Sequence, residues 1–155
     1  MPTLKNLKKE GKVKLKKPNQ EISDLYLKKA NECITAANIL KTENLPEYSI
    51  LMSYNSMIKS VYSLFFKIGI TAKQEYAPLI LTNVLFRKDL AKILRTAKNQ
   101  INKQTQLIPI TTITNNNAEK MLKQAAELLF SIEMMLKQID EDEISRIQRK
   151  FKLIN

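Results

Sequence analysis

Glycine occurs at only two positions, 11 and 69, in a chain of 155 residues. Sandwiches and barrels depend on many tight turns, and glycine is what most of those turns require. Long uninterrupted helices need none. The five prolines stand apart from one another, so they punctuate helices and do not form a stiff linker.

Five stretches repeat apolar residues at three- and four-residue steps, the signature of one helix face. From about 20 to 44 these are Ile22, Leu25, Tyr26, Ala30, Cys33, Ile34, Ala37 and Leu40, and Asn44 with Leu45-Pro46 then stops the helix. Pro46 suits the start of the next, where its missing amide hydrogen has no partner to lose. That second helix, about 47–68, carries Ile50, Leu51, Tyr54, Met57, Ile58, Val61, Tyr62, Phe65 and Ile68, with Gly69 as its carboxyl-terminal cap. A shorter helix is expected at 75–86 with Pro78 in its first turn, and a fourth at 89–103 through Leu90, Ile93, Leu94, Ala97 and Ile101. Residues 107–117, β-branched and containing Pro109, predict an extended loop, with an asparagine at 116–117 capping the next helix. The fifth helix, 118–139, repeats Ala118, Met121, Leu122, Ala125, Leu129, Ile132, Leu136 and Ile139. Residues 140–155 open on four acids, close on Arg149, Lys150 and Lys152 to match the helix dipole, and carry an apolar stripe of Ile144, Ile147, Phe151 and Ile154. No internal repeat is evident. The pattern predicts one all-α domain: an antiparallel bundle of about five helices over 19–139, with an added amphipathic helix at 140–155.

The formal charge of +11 is unevenly placed. Residues 1–17 hold seven lysines against Glu10 alone, a net of +6. With few apolar positions, residues 1–18 read as a basic arm or flexible tail, although Val13 and Leu15 alternate with lysines as a short extended segment would. Two uses of the arm stay open. Lys8, Lys9, Lys12, Lys14, Lys16 and Lys17 could neutralise a phosphate backbone and make a nonspecific RNA- or DNA-binding module, or they could serve only as a solubilising tail. No aromatic residue lies among them to stack on bases.

Most enzyme chemistry is excluded by what is missing. The chain has no histidine, so it has no serine–histidine triad, no histidine base and no ordinary zinc-hydrolase site. No glycine-rich phosphate loop exists. The run Asp140, Glu141, Asp142, Glu143 radiates around a helix start and is read as dipole-matched, not as a metal cluster. The lone Cys33 excludes an internal disulfide and is read as a packing residue, as are Tyr26, Tyr54, Tyr62 and Phe65. No catalytic residue, metal or cofactor is assigned. No stretch has the roughly 18 apolar residues of a membrane span, and no signal core follows the basic amino terminus, so a cytoplasmic location is expected. The second helix also carries a polar stripe, Asn55, Lys59, Ser63 and Lys67 with Ser56 and Ser60 beside it. It is either the wet side of an amphipathic helix or a cleft lining.

The run from Tyr26 to Ile70 resembles the HEPN family (higher eukaryotes and prokaryotes nucleotide-binding). Prokaryotic members show a Ser/Ala-Tyr-Tyr-Ala-Met-Phe/Tyr-His pattern and then Gly-Ile; here Ser53-Tyr54-Asn55-Ser56-Met57-Ile58-Lys59 precedes Gly69-Ile70. The resemblance implies a four-helix up-and-down core, a homodimer in which the apolar stripe of 140–155 is expected to bury against the second subunit, and frequent pairing with a separate nucleotidyltransferase in a toxin–antitoxin context. Carried onto this chain, it implies a cleft of Tyr54, Asn55, Lys59, Ser63 and Arg95 that binds a nucleotide, RNA or partner protein. The departures bear on chemistry: Lys59 stands where many relatives have histidine, Asn55 replaces the second tyrosine, and the family's Arg-then-His nuclease motif cannot exist. Arg95 lies near where that arginine would fall. A non-catalytic binding protein is therefore the leading expectation, the lysine-arm module the alternative, and a degenerate ribonuclease the third.

Overall fold

The computed structural model describes residues 1–105 and 113–155. Among them the order is α1 (Leu4–Lys9), β1 (Val13–Leu15), α2 (Gln20–Thr42), α3 (Pro46–Ile68), β2 (Ile70–Ala72), α4 (Ala77–Leu85), α5 (Lys88–Thr105), α6 (Asn115–Gln138) and α7 (Glu141–Leu153). The fold is an all-α bundle with one two-stranded ribbon. Helix α3 is its axis, packed by α2, α6, α5, α4 and α7. Its Ile50, Met57, Val61, Leu64, Phe65 and Ile68 are fully buried, and Leu81, Leu90, Leu128 and Ile132 close around them from the other helices.

The boundaries follow from local chemistry. The Asn19 side chain accepts the Ile22 amide to cap α2, and Asn44, at φ +58°, makes the left-handed turn that lets Pro46 open α3. Gly69 ends α3 at φ +87°, its amide donating to the Phe65 carbonyl. Helix α6 starts three residues earlier than its apolar period implies. Thr114 is the cap, and Asn117 sits at the third helical position, returning a bond to the Thr114 amide. Asp140 caps α7 by accepting the Glu143 amide at 2.9 Å. Pro109 and the rest of 106–112 lie outside the described residues; 113–114 are non-helical as expected, but 115–117, expected in the same loop, form the first turn of α6.

The closest helix pair is α2 with α3, and small side chains line its seam at seven-residue spacing. Ser23, Ala30 and Ala37 on α2 face Ser63, Ser56 and Ser49 on α3, and all six are at most 1 % exposed. Each α3 serine donates its hydroxyl to the backbone carbonyl opposite: Ser63 to Ser23 at 2.7 Å, Ser56 to Ala30 at 2.8 Å and Ser49 to Ala37 at 2.7 Å. Ser23 returns one to the Ser63 carbonyl at 2.8 Å. A hydroxyl can reach a facing helix backbone only where the axes lie close, and only small residues allow that. The heptad step keeps the same residues in the seam along both helices. Apolar periodicity overlooked this repeat because serine and alanine scarcely register in it.

Two expectations are corrected. Residues 1–18 are not a free tail: Leu4, Leu7 and Val13 are buried at 4 %, 0 % and 2 % exposure, and the segment folds as α1 and β1 against α4 and β2. Helix α7 does not wait for a second subunit either. Ile147 and Phe151 bury in the chain's own core, and the Gln148 amide donates to the Ile68 carbonyl at 2.7 Å. The bundle therefore has an additional helix at its amino-terminal end, and the argument for a dimer from α7 falls away.

Candidate nucleic-acid interface

The amino-terminal lobe is built by backbone hydrogen bonds. Thr3 caps α1 through the Asn6 amide, Gly11 turns the chain at φ +66°, and β1 pairs antiparallel with β2 in the register Val13↔Ala72, Lys14↔Thr71, Leu15↔Ile70. The ladder is extended at both ends: the Lys73 amide donates to the Lys12 carbonyl at 2.8 Å and the Lys16 amide to the Gly69 carbonyl at 2.7 Å. Gly69 is required here twice over, because a Cβ at this site would lie 2.2 Å from the Lys16 carbonyl oxygen in addition to straining the positive φ.

Alternation along the strand turns Val13 and Leu15 inward and leaves Lys12, Lys14 and Lys16 exposed. Same-side residues on a strand repeat at about 6.8 Å, so the three ammonium groups form a comb on a fixed backbone. Lys73 emerges beside Lys12, and Lys5, Lys9 and Lys17 are also exposed on the lobe. None of these seven meets a carboxylate among the described residues. Depressions flank the ribbon: one of about 490 Å³ is lined by Lys5, Lys8 and Lys9 with the end of the chain, and one of about 170 Å³ by Lys16 and Lys17 with Phe66 and Thr71. Lys5 and Lys73 were not among the candidates. The strand pairing that adds Lys73 was hinted at only by the β-branched Ile70-Thr71 after a glycine.

Lys8 must be withdrawn from the phosphate-binding set. Its ammonium donates to the Phe151 carbonyl at 2.7 Å and to that of Ile154, and lies 4.8 Å from the Phe151 ring centroid. It caps the end of α7, the negative pole of that helix's dipole.

The HEPN-type cleft residues do not come together as a set. Tyr54, Asn55 and Lys59 share the half-buried side of α3, and Arg95 is exposed on α5. Ser63 is fully buried in the α2 seam and faces no cleft. Lys67 is held by the Gln20 side chain. The polar stripe is thus split: its serines belong to the interior and its longer side chains to the surface.

A compact cluster that the sequence did not signal lies beside Tyr54. Lys98, 13 % exposed, pairs with Glu75, and its ammonium sits 5.8 Å from the Tyr76 ring centroid. Burial pushes the Tyr54 hydroxyl's pKa up, with Lys98 pulling it down and Glu75 up. Burial also acts to lower Lys98, but the hydrogen bond it donates to Glu75 and the surrounding charges outweigh it and raise the pKa overall. Lys98 therefore stays an ammonium at neutral pH and does not serve as a base. Among the described residues no group of three His, Cys, Asp or Glu could hold a metal, and no helix is long and apolar enough to cross a membrane.

No protein-family model matches the chain, and no curated protein or solved structure is significantly similar to it.

Proposed function

We propose that the protein is a non-catalytic module that binds the phosphate backbone of RNA or DNA through its amino-terminal lobe. The observation that carries this reading is the ordered comb of Lys12, Lys14 and Lys16 with Lys73 alongside, none of them in an ion pair among the described residues. A folded basic surface holds its charges in place before the ligand arrives, whereas a tail would have to be ordered on binding at an entropic cost. The strand that carries the comb holds no aromatic residue to read bases, so recognition is of charge and backbone geometry and not of sequence.

Fluorescence anisotropy with labelled single-stranded and duplex oligonucleotides tests the proposal. Affinity should fall steeply with salt, and the Lys12→Gln/Lys14→Gln/Lys16→Gln variant should flatten the slope of log K against log salt by roughly 0.9 per lysine on duplex. Circular dichroism should be unchanged, because all three side chains are exposed. An absence of binding at low salt, or an unchanged slope in the variant, would refute it.

A second reading follows from the half-exposed face of α3, where Tyr54, Asn55 and Lys59 accompany Ile58 and Tyr62. On that reading a HEPN-type homodimer frames the face and engages a nucleotide, RNA or a nucleotidyltransferase partner. Light scattering distinguishes it: twice the 17.9 kDa chain mass at micromolar concentration favours it, and a single mass removes it.

A further inference from the structure

A cavity of about 440 Å³ opens where the α4–α5 turn meets the α6–α7 turn. This is within the size range of small-molecule sites. Its residues come from two well-separated parts of the chain, 85–87 and 135–147, so no sequence motif marks it. The cavity lies along the first half of α7, whose far end Lys8 caps, and it shares no residue with the lysine lobe.

Its inner wall is apolar: Leu85 and Ile147 are buried, and Phe86, Met135 and Ile139 are half-buried. Phe86 is fixed by stacking on Phe65, with centroids 6.1 Å apart. Two of the chain's four arginines stand at the rim, although lysine is by far its commoner cation. Arg87 is gripped by Asp89, with Nε and Nη2 donating to the two carboxylate oxygens at 3.0 and 2.5 Å. Arg146 is gripped in the same way by Glu143, at 2.8 and 2.6 Å. Both pairs use the Nε–Nη2 edge of the guanidinium. Of the five N–H donors on each, the two of Nη1 and the second of Nη2 remain for another acceptor, and the plane of the group is already set. A third rim carboxylate, Asp140, is committed to capping α7.

We infer that this cavity binds a small amphiphilic carboxylate, its apolar body against Phe86, Met135 and Ile139 and its carboxylate on the free edges of Arg87 and Arg146. A planar two-oxygen anion matches the guanidinium fork, as a compact ammonium would not require. The rim also limits the charge of the ligand. Three carboxylates, Asp89, Asp140 and Glu143, stand with the two arginines, so binding rests on the open guanidinium edges and not on surplus positive charge, and a phosphate dianion meets repulsion. A free polar ion would leave the apolar wall wet, and a hydrocarbon alone would leave the arginine edges unused.

The test is calorimetric titration of the 155-residue chain with octanoate and with 2-naphthoate, an aliphatic and an aromatic probe of the class. Octanol, octylamine and inorganic phosphate serve as controls. At least one carboxylate should bind saturably, with the controls at least tenfold weaker. Arg87→Gln and Arg146→Gln should each weaken binding roughly tenfold or more, the usual consequence of losing a charged hydrogen-bond donor. Met135→Trp, which fills the cavity and leaves the rim intact, should abolish binding while the helical circular dichroism is retained. Should an arginine variant fail to fold, the Met135 variant and the control ligands still decide. Equal binding of octanol and octanoate, no saturable binding of either carboxylate at millimolar concentration, or full binding by Met135→Trp would overturn the inference. The lysine-comb variant should bind the carboxylate normally, so this result and that of oligonucleotide binding fail separately.

Discussion

The α2–α3 seam and the α1–β1–β2 lobe each bring two stretches of backbone unusually close, and they use different groups to do so. In the seam both backbones keep their own helical hydrogen bonds, and serine hydroxyls add a second acceptor interaction to each facing carbonyl. In the lobe the backbones bond directly to one another, and a glycine makes room where they meet. The seam thus depends on side-chain size at every seventh position, while the lobe depends on a single residue without a side chain. Both glycines of the chain serve the lobe: Gly11 turns into β1 and Gly69 into β2. The helical bundle uses small residues with a Cβ, which keep helix propensity that glycine would lose.

The largest expected effect comes from enlarging a seam residue. Ser56→Leu would drive a branched side chain into the space between two helices and remove the bond to Ala30, at about 3 kcal/mol or more in urea unfolding. Ser56→Ala removes only the hydroxyl and leaves Ala30 with its helical partner, so about 0.5–1.5 kcal/mol is expected. If the two substitutions cost the same, close approach of the backbones is not what the serines provide, and the contrast with the lobe is lost.

Next in size is Gly69→Ala. The left-handed backbone costs an L-residue about 1–2 kcal/mol, and the new Cβ would also have to displace the Lys16 carbonyl. About 2–3 kcal/mol is expected, with hydrogen exchange showing the loss concentrated in residues 12–16 and 70–73. Uniform loss of protection through α2 and α3 as well would mean that lobe and bundle unfold as one unit, and the division drawn between them would be wrong.

The two regions also differed in how readily they could be read. Helices α2, α3 and α5 were visible because their apolar residues recur locally, and Pro46 and Gly69 mark α3 at both ends. Helix α1 was missed because Leu4 and Leu7 are too few to define a face. Their burial is supplied chiefly by α4, far along the chain. Helix α6 starts before the expected asparagine cap at 116–117 because Asn117 is the reciprocal member of a box begun by Thr114. Ser63 was assigned to a cleft because a helical wheel separates polar from apolar and cannot show that a small polar residue faces a helix backbone. The lysine comb was half legible: Val13 and Leu15 gave the alternation, but its partner strand had no such pattern.

The smallest effect, and the most discriminating, is expected at Lys8. The lobe's lysines were alike in sequence, yet Lys8 alone among those of residues 1–17 is held by the carbonyl end of α7 and the Phe151 ring. Lys8→Met keeps most of the aliphatic stem and removes the charge. It loses charge-assisted bonds to α7 carbonyls and a favourable position at the negative pole of the helix, in a partly exposed setting that screens both. The expected destabilisation is about 1–2 kcal/mol. Lys9→Met, one residue along and exposed, should change stability by no more than about 0.5 kcal/mol. Oligonucleotide affinity should order the pair the other way, with Lys9→Met reducing the salt slope and Lys8→Met leaving it nearly unchanged. Stability unaffected by Lys8→Met would mean that α1 and α7 are not latched, and the lobe would then behave as the loose tail its composition suggests. Equal losses of affinity in the two variants would mean that Lys8 leaves its carbonyls to meet the ligand, making the latch itself part of the binding surface.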